Sequence, residues 1–236
     1  MTHPSFLRRS RAPRLLAAFC GVGGDTAGYQ QAGFHVTGVD LHPQPRYVGD
    51  AFHQGDAVAF IRDHGHEFDF IHAGPPCQFD CTLTAGTNAV RGAAYPDLLE
   101  PTRQALEATG RPHAIEQPPG RASRRMRIDV TLCGEMFNLG VLRHRNFELG
   151  GWTAPQPRHL AHRGRVAGMR HGVWYQGPYF AVYGDGGGKG TVPQWQQAMG
   201  IHWTDVRKEI AEAIPPAYGQ WLGEQFLTAA SGAVAA

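Results

Sequence analysis

Lysine is nearly missing from this chain. Of its 22 basic residues only two, Lys189 and Lys208, are lysines, and the formal net charge is only +2. Bulk charge therefore does not by itself announce a polyanionic partner. No run of about eighteen apolar residues occurs, so no membrane span is expected. The first segment, Met1 to Arg14, has no apolar stretch of the kind a secretion signal needs. The four cysteines, Cys20, Cys77, Cys81 and Cys133, show no disulfide-scaffold spacing, which points to a reducing, cytoplasmic setting. Cys77 and Cys81 stand four apart, but no paired C-x-x-C knuckle accompanies them, and no metal is expected. Two nucleotide signatures are missing as well. A dinucleotide fingerprint begun at Gly21 needs glycine where Thr26 stands, and no Walker Gly-Lys-Ser/Thr follows. There is no internal repeat.

What is present suits one large domain, or one domain with a small appendage: 236 residues, 42% of them hydrophobic. Leu15 to Phe19 reads as a first strand. A glycine-rich turn and an amphipathic helix over about Asp25 to Ala32 follow, with Gly33 as its stop. Phe34 to Val39 reads as a second strand ending at Asp40, and a short helix begins at Gly55-Asp56-Ala57. Phe68 to Ala73 reads as a buried strand, Leu98 to Thr109 as a helix and His113 to Glu116 as a further strand. This alternation predicts an α/β fold with a doubly wound, mostly parallel sheet. After about Gly150 the texture changes: Gly, Pro, Arg and aromatics prevail up to Thr191. Helical pattern returns from Pro193 to Phe226, broken at Pro215-Pro216, and Ala229 to Ala236 reads as a frayed tail. The expected division is a basic tail over 1–13, a main domain over 14–150, an irregular region over 151–192 and a helical return over 193–228.

Arginine is clustered. Arg121, Arg124, Arg125 and Arg127 form one group; Arg143, Arg145, Arg158, Arg163, Arg165 and Arg170 form another. Arginine suits bidentate phosphate contact, although GC-rich coding would give the same bias. The basic tail with Arg8, Arg9, Arg11 and Arg14 is either a frayed end or a phosphate-contacting arm.

Three places carry chemistry. Gly21, Gly23 and Gly24 lie between a strand and a helix, where glycine permits a tight turn and close approach of a ligand. Asp40 ends the second strand, where an α/β nucleoside site places a carboxylate for ribose hydroxyls. Asp56 ends the next element; either acid is alternatively a helix N-cap. Gly74-Pro75-Pro76-Cys77-Gln78 follows a central strand, so two prolines stiffen the chain before a thiol at the sheet edge where open α/β folds do their chemistry. A lone cysteine is more often a buried inert one, as Cys81 and Cys133 are expected to be. Glu116 closes a further strand.

Taken together, Phe19-Cys20-Gly21-Val22-Gly23-Gly24, Pro76-Cys77-Gln78, Glu116-Gln117-Pro118 and Arg143-His144-Arg145 resemble the DNA cytosine-C5 methyltransferase family. The resemblance runs from about Leu15 to Phe226. It implies a Rossmann-like S-adenosylmethionine-dependent methyltransferase fold, with S-adenosyl-L-methionine as cofactor and double-stranded DNA as substrate. It places Phe19, Gly21, Gly23, Gly24, Asp40, Asp56 and Pro76 at the cofactor, Cys77 as nucleophile on cytosine C6, Glu116 at N3, and Arg143 and Arg145 beside the base. Departures are Glu-Gln-Pro where the family has Glu-Asn-Val, Val141 where it has glutamine before the arginines, and Glu212-Ala213 where it has Gly-Asn. Only about Gly151 to Val192 is available for target recognition. It carries Trp152, Trp174, Tyr175, Tyr179, Phe180 and Tyr183, suited either to base contact or to a miniature core. So small a region suits a phage-encoded or orphan enzyme with a short recognition sequence, and the resemblance implies a monomer, since family enzymes with one compact domain can act alone on asymmetric DNA. RNA cytosine methylation and a catalytically silent nucleic-acid binder are the alternative readings, and an altered sulfonium donor is a narrower one.

Overall fold

The computed structural model describes residues 11–77, 96–184 and 190–234. A seven-stranded sheet runs in the order β3-β2-β1-β4-β5-β7-β6. Its strands are β1 (Arg14–Ala18), β2 (His35–Asp40), β3 (Ala51–Gln54), β4 (Phe70–Ala73), β5 (His113–Gln117), β6 (Val130–Leu132) and β7 (Arg145–Gly150). The β3-β2-β1-β4-β5 pairs are parallel, and β7 enters antiparallel to both β5 and β6. The sheet is covered on both sides, so its central strands are continuously apolar rather than alternating. In β1, Leu15 and Ala17 face one core while Leu16 and Ala18 face the other.

The first face is covered by α1 (Gly24–Gln31) and the C-terminal helix α6 (Pro216–Val234). There Phe70 stacks on Phe226 at 4.6 Å between ring centroids, with Trp152 edge-on to both. The two helix backbones approach so closely that a Cβ on Gly28 would overlap the Pro216 carbonyl oxygen. The second face is covered by α2 (Ala57–His64) and α3 (Leu99–Thr109), which bury Val58, Ile61, Leu99 and Leu106. α3 ends at Gly110 in the left-handed conformation (φ 65°), the usual glycine stop. A third cluster forms around Trp195 where α4 (Val192–Met199) and α5 (Arg207–Glu212) pack on Val141 and Val182. α4 begins with a capping box between Thr191 and Gln194.

Several elements differ from the sequence expectation. β3 is missing from it because all four of its residues are exposed, leaving no apolar pattern. β6 and β7 are missing too: β6 has three residues, and β7 buries Asn146 and Glu148 beside Phe147 and Leu149. The expected frayed tail from Ala229 is instead the last part of α6, where Ala230 still packs on the first core. Phe19 lies beyond β1, at φ 61°. Within the irregular stretch, β8 (Gly168–Arg170) and β9 (Val173–Tyr175) form a hairpin. Its turn, His171-Gly172, has positive φ at both positions, as a two-residue hairpin requires.

Candidate active site

Strand order reverses between β1 and β4. Such a switch point opens a crevice at the carboxyl ends of the strands. The two sequences singled out above, Phe19–Gly24 and Gly74–Cys77, are these two loops. They touch where the Gly74 amide donates to the Ala18 carbonyl at 3.2 Å.

The first loop folds back by three positive-φ residues, Phe19, Gly21 and Gly23. The Cys20 amide still continues the ladder, donating to Val39 at 3.1 Å. The Gly21 amide donates to Asp40 Oδ2 and the His42 amide to Asp40 Oδ1, both at 3.0 Å. Asp40 is thereby fixed with two of its roughly four acceptor sites still open. A Cβ added to Gly21 would meet nothing within 4 Å, so the turn borders open space at that point. Asp56 follows the adjacent strand at the same edge, and its Oδ1 caps α2 by accepting from the Ala59 amide at 2.8 Å. The C-terminal part of the chain closes over the turn. The Trp203 indole donates to the Val22 carbonyl at 3.1 Å, and the Ile214 carbonyl lies against Gly24 with no room for a Cβ.

In the second loop Pro75 is buried, Pro76 exposed and Cys77 half-buried. The buried Gln117 amide donates to the Pro75 carbonyl at 2.6 Å. β5 thus ties down the cysteine loop through Gln117. Glu116, next to it, is 7% exposed. A Cβ on Gly74 would stand 3.6 Å from its Oε2, so the carboxyl faces the cysteine loop. Its Oε1 lies 2.7 Å from Arg145 Nε, a close ion pair without hydrogen-bond alignment. Burial pushes the Glu116 carboxyl up and outweighs the lowering by Arg145 and Arg143, which favours the protonated form.

Arg143 plays a different part. At φ 36° it turns its guanidinium into the protein, donating to the carbonyls of Val182 (2.8 Å), Ala211 and Ala213 (both 2.6 Å). Its own carbonyl accepts from the Tyr218 hydroxyl at 2.9 Å. Burial lowers its pKa to about 9, the neighbouring Arg145 charge adds to this, and Tyr218, Glu116 and Cys77 oppose it. It remains a cation at neutral pH, close enough to Cys77 to be coupled to it electrostatically.

Beneath the crevice lies a buried polar chain absent from the sequence expectation. His72, in β4, places Nε2 3.2 Å from Asp25 Oδ2 and Nδ1 2.9 Å from the Tyr29 hydroxyl. Burial holds the His72 pKa below its ordinary value, with Asp25 opposing, so the ring is neutral at pH 7. The chain locks the strand carrying Cys77 to the helix following the glycine turn. The contacts of Trp203, Gln117, Tyr218 and this triad are not legible in the sequence because their partners are far away along the chain, although Gln117 belongs to a segment already singled out above.

Some clustered arginines make internal contacts while staying at the surface, and Arg103, outside the clusters, does so from α3. Arg103 bridges α3 to Glu148 on β7 with two 3.0 Å bonds, Arg125 pairs with Asp97, Arg127 with Asp129 and Arg163 with Glu135. Arg121, Arg124 and Arg158 are exposed. The aromatics of 151–192 divide in two. Trp152 and Tyr179 belong to the interior, whereas Trp174 and Tyr183 are 39% and 54% exposed. Cys81 and Lys189 lie outside the described residues.

No protein-family model and no curated protein matches the chain. Solved structures do. The chain has a Rossmann-like, mostly parallel α/β fold that a solved methyltransferase structure matches over nearly its whole length. Fission yeast (S. pombe) Dnmt2 methyltransferase aligns over 92% of this chain and 99% of its own, at 12% identity and TM-score 0.57. A structure described as a DNA modification methyltransferase encoded within an E. coli prophage aligns over 59% of this chain at 20% identity and TM-score 0.37. Spodoptera frugiperda DNMT2 aligns over 63% at 13% identity and TM-score 0.41. The chain spans 46% and 54% of the length of the last two.

Proposed function

We propose that this protein is an S-adenosylmethionine-dependent methyltransferase that modifies C5 of cytosine in DNA. The observation that supports it most is the meeting, at one switch point, of the Cys77 loop, the buried Glu116–Arg145 pair and the glycine turn braced by Asp40. The residues fit the cofactor. Asp40 has acceptor capacity left for ribose hydroxyls, Gly21 borders open space, and Phe19 closes the end of β1. Gly23 and Gly24 shape the turn, packed against Tyr47 and the Ile214 carbonyl, and the resemblance assigns the exposed Pro76 and the helix cap Asp56 to the cofactor as well. When bound there, S-adenosylmethionine supplies an electrophilic methyl group.

The chain's own residues do the rest. The target cytosine leaves the duplex stack to reach the half-buried thiol. Cys77, deprotonated, adds to C6, and the electron pair displaced from the C5–C6 bond is accommodated as N3 takes the proton of Glu116. C5, now nucleophilic, would take the methyl group as its bond to the sulfonium sulfur breaks, leaving a neutral thioether. A base, such as a held water, removes the C5 proton; the C5–C6 double bond re-forms, Cys77 leaves as thiolate, and the N3 proton returns to Glu116. Arg145 keeps Glu116 in place, and Arg143 supplies positive potential at Cys77.

Nucleoside mass spectrometry of DNA from cells expressing wild type and Cys77→Ser tests the reading. 5-Methylcytosine is expected with wild type alone, while calorimetry shows the variant still binding S-adenosylmethionine. Full activity of Cys77→Ser would sink the mechanism. Modified cytosine found in RNA but not in DNA would reassign the acceptor and leave the chemistry standing.

A further inference from the structure

We propose that the protein carries a structural zinc site formed by Cys133, His144, His159 and His162. The ligating atoms of these four residues all lie within 4.8 Å of one another. His144 Nε2 is 3.3 Å from His159 Nε2, His159 Nε2 is 3.2 Å from His162 Nε2, and Cys133 Sγ is 3.6 Å from His162 Nε2. A tetrahedron with Zn–N bonds of about 2.05 Å and a Zn–S bond of about 2.3 Å demands N···N separations of about 3.3 Å and N···S of about 3.6 Å. These three separations match it, and the other three lie within 4.8 Å. Hydrogen bonding among the rings does not account for the arrangement equally well. Nε2 of His159 carries either one N–H or one lone pair, so it can direct a hydrogen bond along only one of its two short contacts and leaves the other unaccounted for. A central cation satisfies all four donors at once.

The fold builds the site from two directions. Leu132 of β6 pairs with Arg145 of β7, so Cys133 and His144, the next residues, face each other across the end of this hairpin. His159 and His162 come from the segment after β7. That segment is already fastened on both flanks. Gln156 exchanges hydrogen bonds with the Thr131 backbone at 2.8 and 2.9 Å, and Arg163 pairs with Glu135 at 2.7 Å. Cys133 is buried while His159 and His162 are exposed, which leaves the metal a route in.

Four protein ligands of the type S-N-N-N make a closed, structural site rather than one that activates water. Zinc is the ion whose preference matches thiolate plus imidazole in a tetrahedron. Binding forms one Zn–S and three Zn–N bonds and releases the Cys133 thiol proton to solvent. The consequence is positional. His144 stands between Arg143 and Arg145, so the ion would staple the region 151–163 to the stretch that carries both arginines. This inference does not depend on the methyltransferase reading. Cys133, expected to be inert, becomes a ligand, and the expectation of no metal is replaced by this proposal.

The test uses untagged protein stripped with EDTA and titrated with cobalt(II) chloride, then with zinc chloride. Expected are one cobalt per chain, a near-ultraviolet thiolate-to-cobalt band with intense visible bands of tetrahedral cobalt, and their loss on zinc addition. Cys133→Ser should remove the thiolate band. His159→Ala, which alters an exposed position, should remove the tetrahedral spectrum while the protein stays folded by circular dichroism. Zinc should also protect Arg158 and Arg163 from trypsin. Failure to bind cobalt in a tetrahedral site, or a spectrum unchanged in His159→Ala, would overturn the site. Equal trypsin cleavage with and without zinc would overturn its stapling role.

Discussion

Replacing Arg145 by methionine should convert a buried ion pair into a stranded carboxyl, and the cost should depend on pH. Glu116 and Arg145 sit 2.7 Å apart with side chains 10% and 16% exposed. Removing one partner of such a pair costs about 3–5 kcal/mol when the other must remain charged. Glu116 can escape by keeping its proton, since burial already pushes its pKa above the ordinary carboxylate value even with Arg145 present. The folded state then holds more protons than the unfolded state above the unfolded pKa. Stability therefore falls as pH rises through that window and returns as pH falls. Without Arg145 the window extends upward, with a slope approaching about 1.4 kcal/mol per pH unit. Urea denaturation of Arg145→Met at a series of pH values measures this directly. The variant should lose the most at alkaline pH and recover steadily on acidification. Adding Glu116→Gln should restore most of the loss at alkaline pH and flatten the profile. A loss of the same size at every pH, or no rescue by Glu116→Gln, would mean that Arg145 acts through packing and that Glu116 is not a stranded charge.

Other expectations concern the scaffold. Gly28→Ala should destabilise the protein by about 1–3 kcal/mol or more in urea denaturation, because the new Cβ meets the Pro216 carbonyl where neither backbone can move freely; a neutral result would contradict the close helix contact. His72 is neutral when folded, so the unfolded chain takes up its proton first. Stability should then drop as pH falls below about 6.5, by up to about 1.4 kcal/mol per unit, and His72→Gln should lessen that slope. Tyr29→Phe should cost about 1–3 kcal/mol by leaving the His72 ring nitrogen without its buried partner, and a melting curve unchanged from wild type would refute it.

The local sequence was sufficient wherever one short segment carries its own physical reason. Leu15 to Ala18 is apolar throughout because both its faces are covered, and the glycines after it can only be a turn. Asp56 followed by an amphipathic stretch is a helix start, whether or not it also meets a ligand. Pro75-Pro76-Cys77 at the end of an apolar strand is legible as a held thiol, and the order of these segments points to a doubly wound sheet. What tertiary structure decided was pairing. β7 looks polar along the chain, and Asn146 and Glu148 become strand-interior residues only because Thr131 and Arg103 satisfy them. Four of the arginines that the sequence offers to phosphate, Arg125, Arg127, Arg145 and Arg163, pair with acids of the chain. Arg143 is drawn inward by three carbonyls, two of them about seventy residues away. Cys133, His144, His159 and His162 follow no fixed spacing, since two come from a hairpin end and two from an irregular segment. Residues that act through a shared point in space leave no periodic trace in sequence, and only the folded chain brings their atoms within bonding distance.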